Sequence, residues 1–446
     1  MTESGTPPVK KREIFGWAMY DFANSSYTTV VISFVYSAFF TAQIIPATSE
    51  VRDTYWSLAI VISTIIAIIL SPLVGALCDY SGGKKRYLLM ATLTCSISTA
   101  ALAFAGPGDI WLAIALIAIS NAAFMVGESF VASFLTDLAT SENMGVISGL
   151  GWGLGYMGGL ASLLLTYGYL DADTQLTADI TVSRNQIAMV LIGAFFLVSA
   201  MPTFLLVKDR SKPKPGFENA KIGQLLKVGL AELRSSAQLI KQYNVLFKFF
   251  IAFMVYMAGL EVVMKFIGIY IDAELALSTS YKQTLFLILQ FSAAGGALGF
   301  GFLETKLGAK TTVLSTIVWW IMGVLAIFFL DAIAGIVGLS RELVFMGIGV
   351  IAGAGIGSIQ SSSRTVVGLL SPPGRSAQMF GFWGMFMRMA IILGMTFGPV
   401  ADALDSRRMA LLLVVGFFAV GGLMLWRVPI TEAIQANRDL QAEPKG

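Results

Sequence analysis

The dominant pattern along the chain is an alternation of long apolar stretches and short joints that carry charge. A bilayer core about 30 Å thick is crossed by a helix of about 20 apolar residues. Stretches of that length predict membrane spans near residues 15–45, 55–78, 87–105, 110–136, 145–168, 187–207, 245–271, 283–303, 311–331, 343–363, 378–400 and 409–427. The pattern therefore predicts an all-α membrane protein with twelve transmembrane helices.

A polar segment after the sixth span divides the helices into two sets of six. We predict an N-terminal six-helix bundle over residues 1–207, a cytoplasmic linker over 208–243, a C-terminal six-helix bundle over 244–430 and a cytoplasmic tail over 431–446. The linker starts with a basic stretch that prolines interrupt, which predicts an extended backbone. Apolar residues then recur at near-helical spacing over 222–240, which predicts an amphipathic helix at the membrane interface.

The distribution of positive charge predicts the orientation. Of the 30 Lys and Arg residues, 21 fall in joints on the side of the N-terminus, 6 in the opposite joints and 3 inside spans. Cytoplasmic loops carry the excess of basic residues, so we expect both termini in the cytoplasm and, for a bacterial protein, insertion in the inner (plasma) membrane. The polar N-terminus has no apolar region followed by a cleavage site, so we expect no removable signal peptide.

The composition excludes several other classes. Charged residues make up 13% of the chain, against about 25% in soluble domains, and a net charge of +3 gives no indication of nucleic acid. The chain has no histidine to relay protons or bind a metal, and no nucleotide-binding loop or catalytic pair. We expect no enzyme activity, no metal and no cofactor, and a monomer whose partners are the lipid bilayer and a small-molecule substrate.

Two joints carry a related motif. The joint after span two reads GALCDYSGGKKR, and the joint after span eight reads GFLETKLGAK. Glycine permits close helix contact, the acidic residue can pair with a cation or a helix end, and we expect the lysines to face the anionic leaflet. The predicted cytoplasmic gating motif comprises Gly75, Asp79, Gly82, Lys84, Lys85, Arg86, Glu304, Gly308 and Lys310. This motif resembles the loop signature of the major facilitator superfamily.

Longer stretches sharpen the resemblance. GWAMYDFANSSYTT at 16–29, ISGLGWGLGYMGG at 147–159 and GAGIGSIQSSSR at 353–364 are similar to the vacuole-effluxer-like family, named for a fungal vacuolar amino-acid exporter. The resemblance implies two six-helix bundles around a cavity lined by spans one, four, seven and ten. The chain departs from bacterial relatives at Gln378, where an acidic residue is common, and in the Ser-Ser-Ser run at 361–363.

Ionisable and other polar residues inside spans are the functional candidates, since a charged side chain costs about 2.5–3.5 kcal/mol near the centre of a span. The predicted substrate or coupling cavity comprises Asp21, Asn24, Asn121, Glu128, Glu261, Lys265, Gln360 and Arg388. Small residues at helical spacing predict close packing for Gly151, Gly155 and Gly159 in span five, for Gly295, Gly296 and Gly299 in span eight, and for Gly349, Gly353 and Gly357 in span ten.

Two interpretations stay open for the main candidates. Glu128 is either a carboxylate that loads protons or a structural partner of Arg388 or of another cation. Glu261 and Lys265 are four residues apart and form either a static bridge or a switch that substrate displaces. We expect Arg364 to extend its charged end to the inner interface.

The favoured function is secondary active transport of a small polar solute by alternating access, with a neutral amino acid or related metabolite as substrate and proton-coupled efflux as one mode. Charged groups of both signs suit a zwitterion. A drug–proton antiporter and a non-transporting sensor or scaffold of the same fold are the alternatives. The glycine-rich run of span five lacks the proline that the drug-exporter branch leads us to expect, which disfavours the antiporter.

Overall fold

The structure, a computed structural model, describes residues 9–46, 52–170, 178–217, 243–270 and 279–442, together with Gln224 and Leu275. All regular secondary structure in these ranges is helical. The linker helix predicted over 222–240 lies outside the described residues, apart from the single position Gln224.

Twelve long helices and a terminal helix follow one another along the described chain. They are α1 (Lys11–Ser26), α2 (Arg52–Ser81), α3 (Lys84–Ala101), α4 (Ile110–Ser133), α5 (Met144–Leu170), α6 (Ala178–Leu206), α7 (Asn244–Tyr270), α8 (Thr279–Leu307), α9 (Ala309–Phe328), α10 (Arg341–Leu370), α11 (Ser376–Gly394), α12 (Arg407–Trp426) and α13 (Ile430–Ala442). After Ser26, α1 continues to Ile44 through wider π-helical turns over Tyr27–Phe34 and Phe40–Ile44.

Length and apolarity confirm the membrane-spanning architecture. Among the described residues, eleven helical segments are long and apolar enough to cross a bilayer. The remaining long helix, α5, has 27 residues, which corresponds to about 40 Å at 1.5 Å per residue. Its repeated glycines contribute no apolar side chain and lower its mean hydropathy. The predicted all-α fold with twelve long helices is therefore confirmed.

Two regions differ from the predicted boundaries. Helix α6 begins at Ala178 rather than near residue 187, because polar side chains at its start find partners: Arg184 donates to the Leu170 carbonyl and Gln186 to the Ala105 carbonyl. The segment predicted only as a tail forms helix α13, whose Ile430 is fully buried and which packs against α10.

The chain divides into two compact units. One consists of Met1–Leu138, Leu154–Ala231 and Pro373–Gly384, and the other of Ala139–Gly153, Glu232–Pro372 and Met385–Gly446. Within the first unit α1 packs on α6 and α3 on α4; within the second α8 packs on α10 and α7 on α12. The first unit thus takes in the first turns of α11, and the second takes in the first turns of α5. The domain boundaries predicted at 207 and 243 stay a prediction.

The glycine contacts are confirmed only in part. Gly155 of α5 lies against Ser25 and the Asp21 carbonyl of α1, and Gly296 of α8 lies directly on the Ala354 backbone of α10. A Cβ at Gly296 would overlap the Ala354 carbonyl oxygen, which leaves no room for a side chain, whereas a Cβ at Gly155 would lie 3.0 Å from the Ser25 hydroxyl, a tight contact that a small shift of Ser25 relieves. Gly295 and Gly299 have open space at the Cβ position, so their prediction as packing residues is wrong: they lie on another side of α8 than Gly296.

Candidate functional site

The loop after α2 is built around a contact between Asp79 and the first turn of α11, within the first unit. The backbone N–H groups of Ala377 and Gln378 donate to the two carboxylate oxygens of Asp79 at 3.2 and 2.7 Å. These N–H groups have no partner inside the helix, and the helix dipole favours a negative charge there. A Cβ at Gly75 would lie 2.5 Å from the Ala377 carbonyl oxygen, so only glycine lets α2 and α11 approach this closely. We call this contact the first junction.

Lys84 completes the first junction. Its Nζ lies 2.7 Å from Asp137 Oδ2, 2.8 Å from Ser376 Oγ and 3.2 Å from the Ser133 carbonyl oxygen. Lys84 is only 4% exposed, so the expectation that it faces the leaflet is wrong. Three acceptors compensate for the water that the ammonium group gives up. In the same loop, Arg86 is exposed.

The turn between α2 and α3 depends on left-handed backbone. Gly82 and Gly83 have φ angles of +68° and +79°, a region that residues with a Cβ rarely adopt. Lys85 of the predicted motif donates from Nζ to the Val207 carbonyl at 2.8 Å, so it too is engaged by the protein.

A second junction, within the second unit, joins the end of α8 to the first turn of α5. Glu304 is 5% exposed and lies so close to Gly145 that a Cβ there would be 2.7 Å from its carboxylate carbon. A Cβ at Gly301 would be 2.8 Å from the Gly145 carbonyl oxygen. Hydroxyls of Ser362 and Thr365 lie beside the carboxylate. Its Oε2 has no hydrogen-bond partner among the described residues.

The positive charge at the start of α5 comes from α10. Arg364 donates from Nη2 to the Ser148 carbonyl at 2.7 Å and from Nε to Ser148 Oγ at 3.0 Å, and its guanidinium lies 5.5 Å from the Trp152 ring centroid. Arg364 is 2% exposed. The prediction that it reaches the membrane interface is therefore wrong, because these partners hold it inside the second unit.

The second junction opens onto a cavity of about 500 Å³. Gly308, at φ +78°, begins the turn into α9, and Lys310 is half-buried in the wall. The cavity is lined by Ser141, Glu142, Gly145, Glu304, Thr305, Lys306, Leu307, Gly308, Ala309, Lys310, Leu369, Thr431, Ile434 and Gln435.

The polar residues predicted for the cavity in the first unit have different environments. Asp21 and Asn24 on α1 are 9% and 6% exposed, and Asn24 Oδ1 has no hydrogen-bond partner among the described residues. The amide of Asn121 donates to Ser63 of α2 at 2.7 Å, which ties α4 to α2. Glu128 is half-buried on α4.

In the second unit, Glu261 and Lys265 of α7 form the ion pair that their spacing predicts, at 3.5 Å. Glu261 is 8% exposed, and Gly394 of α11 packs beside it, since a Cβ there would lie 3.5 Å from the Glu261 Cβ. Gln360 and Arg388 are 7% and 6% exposed. Their roles in binding or coupling stay predictions.

The sequence analysis missed the partners of the loop residues. Asp137 and Ser376 lie 53 and 292 positions from Lys84, so spacing gives no signal for either. A weak signal existed for Asp137, the only acidic residue between Glu128 and Glu142.

Solved structures with a similar arrangement of helices are transporters. The structure of the proton:xylose symporter XylE aligns with 96% of this chain and 97% of its own, at a TM-score of 0.70 and 13% identity. A bacterial homologue of the iron transporter ferroportin aligns with 94% of this chain and 98% of its own, at a TM-score of 0.68 and 13% identity. The chain is therefore an integral membrane protein with the major facilitator fold.

The family follows from the sequence comparison. The family model described as "Vacuole effluxer Atg22 like" matches residues 52–438, and the chain belongs to this family. The uncharacterized MFS-type transporter YxiO of Bacillus subtilis is 26% identical over 432 residues, which cover 95% of this chain and 97% of the relative. Autophagy-related protein 22 of Saccharomyces cerevisiae is 24% identical over 448 residues, covering 90% and 80%. Family and fold together make the protein a membrane transporter.

Proposed function

We propose that the protein is a secondary transporter that works by alternating access, with the first junction as a gate on the cytoplasmic side. The observation that carries this proposal is the contact of Asp79 and Lys84 with the first turn of α11. This contact joins two helices far apart in the sequence through charge-assisted hydrogen bonds, which can form and break as units. Both termini then lie in the cytoplasm of a bacterial cell, and the protein acts as a monomer in its inner membrane.

The proposed solute is a neutral amino acid or a related small metabolite. Buried groups of both signs support this class: Glu261 and Arg388 are each less than 10% exposed, and a zwitterion offers a complementary group to both. Export is the proposed direction, since the family is described as an effluxer. Proton coupling, where it occurs, uses a carboxylate such as Glu128, because the chain has no histidine.

Uptake into proteoliposomes tests the function. Purified protein is reconstituted, and exchange of radiolabelled neutral amino acids is measured with and without a pH gradient. We expect saturable exchange that protein-free liposomes lack and that Glu128→Gln uncouples from the gradient. Exchange of organic cations in place of amino acids would support drug–proton antiport instead. A failure to exchange either amino acids or organic cations would contradict transport.

A further inference from the structure

Helix α3 begins without a cap of its own. Its N-cap position is Gly83, and no side chain at that position accepts a hydrogen bond from the first turn. The helix starts with Lys84, Lys85 and Arg86, and positive charge is unfavourable at the positive end of a helix dipole. By contrast, α10 and α12 are capped by their own Ser340 and Ser406. The start of α3 therefore needs acceptors from elsewhere.

The missing acceptors come from the segment that follows α6, residues 207–217, which we call the strap. Ser211 Oγ accepts from the backbone N–H groups of Gly83 and Lys84 at 2.8 and 3.1 Å. Asp209 Oδ2 accepts from the Lys85 N–H at 2.8 Å. The other oxygen of Asp209 accepts from the Ser211 N–H at 3.0 Å and also from its hydroxyl group. Two strap residues thus cap α3 and place a negative charge at its start.

Further contacts fix the strap to the loop itself. The Lys214 N–H donates to the Tyr80 carbonyl at 2.9 Å, and the Lys214 ammonium lies 3.7 Å from the Tyr80 ring centroid. Gly82 lies against Pro213, so close that a Cβ would be 2.8 Å from the proline nitrogen. The strap therefore contacts the loop on both sides of its left-handed turn.

The loop that the strap holds is the one that forms the first junction. Asp79 precedes Tyr80 directly, and Lys84 is the first residue of α3. Fixing residues 80–85 consequently fixes the position of both charged groups that contact α11. A preorganised loop forms the contact with α11 without paying the entropy of ordering its backbone.

We infer that Asp209 and Ser211 are positioning residues for the first junction, which they stabilise by capping α3 from the strap. This inference rests on the proposed gate, because it assigns the strap a role in closing it. Loss of the cap loosens the loop and so increases the fraction of time for which the contact with α11 is broken. The expected factor is about fivefold, which corresponds to the loss of a typical helix N-cap.

The two native cysteines provide the readout. Cys78 precedes Asp79 and is fully buried, and Cys95 is fully buried within α3. The experiment measures the rate of N-ethylmaleimide labelling of each thiol in the full-length protein in detergent. The ratio of the two rates reports on the junction, since general loosening of the helices exposes both thiols.

The expected result is a ratio about fivefold higher in Asp209→Ala/Ser211→Ala and unchanged in Ser211→Thr, which keeps the hydroxyl group. The matched control is Lys212→Ala, which removes an exposed charge from the same strap. Asp79→Asn, which weakens the junction directly, should raise the ratio by about tenfold.

Three outcomes overturn the inference. If the ratio is unchanged in the double variant but raised in Asp79→Asn, the proposed gate stands and the strap has no role in it. Parallel labelling of Cys95 in the double variant shows a role in general folding only. An unchanged ratio in Asp79→Asn itself counts against the proposed gate and, with it, against this inference.

Discussion

The two junctions have related sequences and different contacts. In each, a glycine near the end of a helix packs on the first turn of another helix, and an acidic residue follows one turn later: Gly75 and Asp79 in the first, Gly301 and Glu304 in the second. In the first, the carboxylate accepts two backbone hydrogen bonds and a lysine binds beside it. In the second, one carboxylate oxygen has no partner among the described residues.

The source of positive charge also differs. The first junction uses Lys84, the first residue of α3 beside the left-handed turn at Gly82 and Gly83, whereas the start of α5 in the second unit is held by Arg364, which lies within α10. The first turn of a helix next to a glycine turn can rearrange locally, while an arginine inside a helix moves only with that helix. The difference supports the proposal that the first junction opens and closes while the second serves as a packing contact.

The largest expected effect is that of Lys84→Met in the first junction. The substitution leaves Asp137 without its cation and leaves the Ser376 hydroxyl without its ammonium partner. Breaking a buried pair on one side costs about 3 kcal/mol, the low end of the usual range, because Asp137 is 21% exposed. Denaturation in detergent micelles should show this loss in the free energy of unfolding.

The matched control for Lys84→Met is Arg86→Met, which removes a positive charge from an exposed position in the same first turn of α3. We expect a change within about 0.5 kcal/mol. Equal losses in both variants would mean that charge in the loop, rather than the contacts of Lys84, supports the structure.

The next prediction compares substitutions of the acidic residues in the two junctions, Asp79 and Glu304. Asp79→Asn should reduce the free energy of unfolding by about 1–2 kcal/mol, because it weakens two charge-assisted hydrogen bonds at a helix end. Glu304→Gln should leave stability unchanged or raise it, since a neutral amide is easier to bury than a carboxylate with an unpaired oxygen. A loss in Glu304→Gln equal to that in Asp79→Asn would remove the distinction between the junctions.

Much of the fold was predictable from the sequence because membrane spans depend on local composition. A run of about 20 apolar residues has few other stable states, so all twelve long helices were found. The π-helical turns after Ser26 were not, because they alter the backbone without altering the apolar pattern. The start of α6 was placed late because Arg184 and Gln186 are polar, and their carbonyl partners lie in other loops.

The candidate site was less predictable because its contacts join distant positions. The motif indicated that Asp79 pairs with a cation or a helix end, but only the fold shows that the partner is α11. Lys84 and Arg364 were both placed at the membrane surface, where long basic side chains usually extend. Each is buried instead, since acceptors on other helices are available, and no local pattern records those acceptors.

A smaller effect is expected for Arg364→Lys in the second unit. Lysine keeps the charge but cannot place two donors on Ser148 in the fixed geometry of a guanidinium group. We expect a loss of about 1 kcal/mol in the free energy of unfolding, measured as above. Ser148→Ala removes the Oγ acceptor and keeps the carbonyl, so it should cost less than Arg364→Lys. The reverse order would mean that the hydroxyl, which also donates to the Ser361 carbonyl, is the main element of this contact.

The smallest effect is expected for Lys310→Met, which tests whether the sequence similarity of the two loops extends to the contacts of their lysines. Lys310 occupies the position in the second loop that the motif predicts for a basic residue, and it is half-buried in the cavity wall, whereas Lys84 is buried in an ion pair with Asp137. Lys310→Met should therefore change the free energy of unfolding by no more than about 0.5 kcal/mol, measured beside Lys84→Met under the same conditions. A loss comparable to that of Lys84→Met would show that the lysine is part of both junctions. A small change means that the second loop keeps the glycine and the acidic residue of the motif, which pack helices, without the lysine contact on which the proposed gate depends.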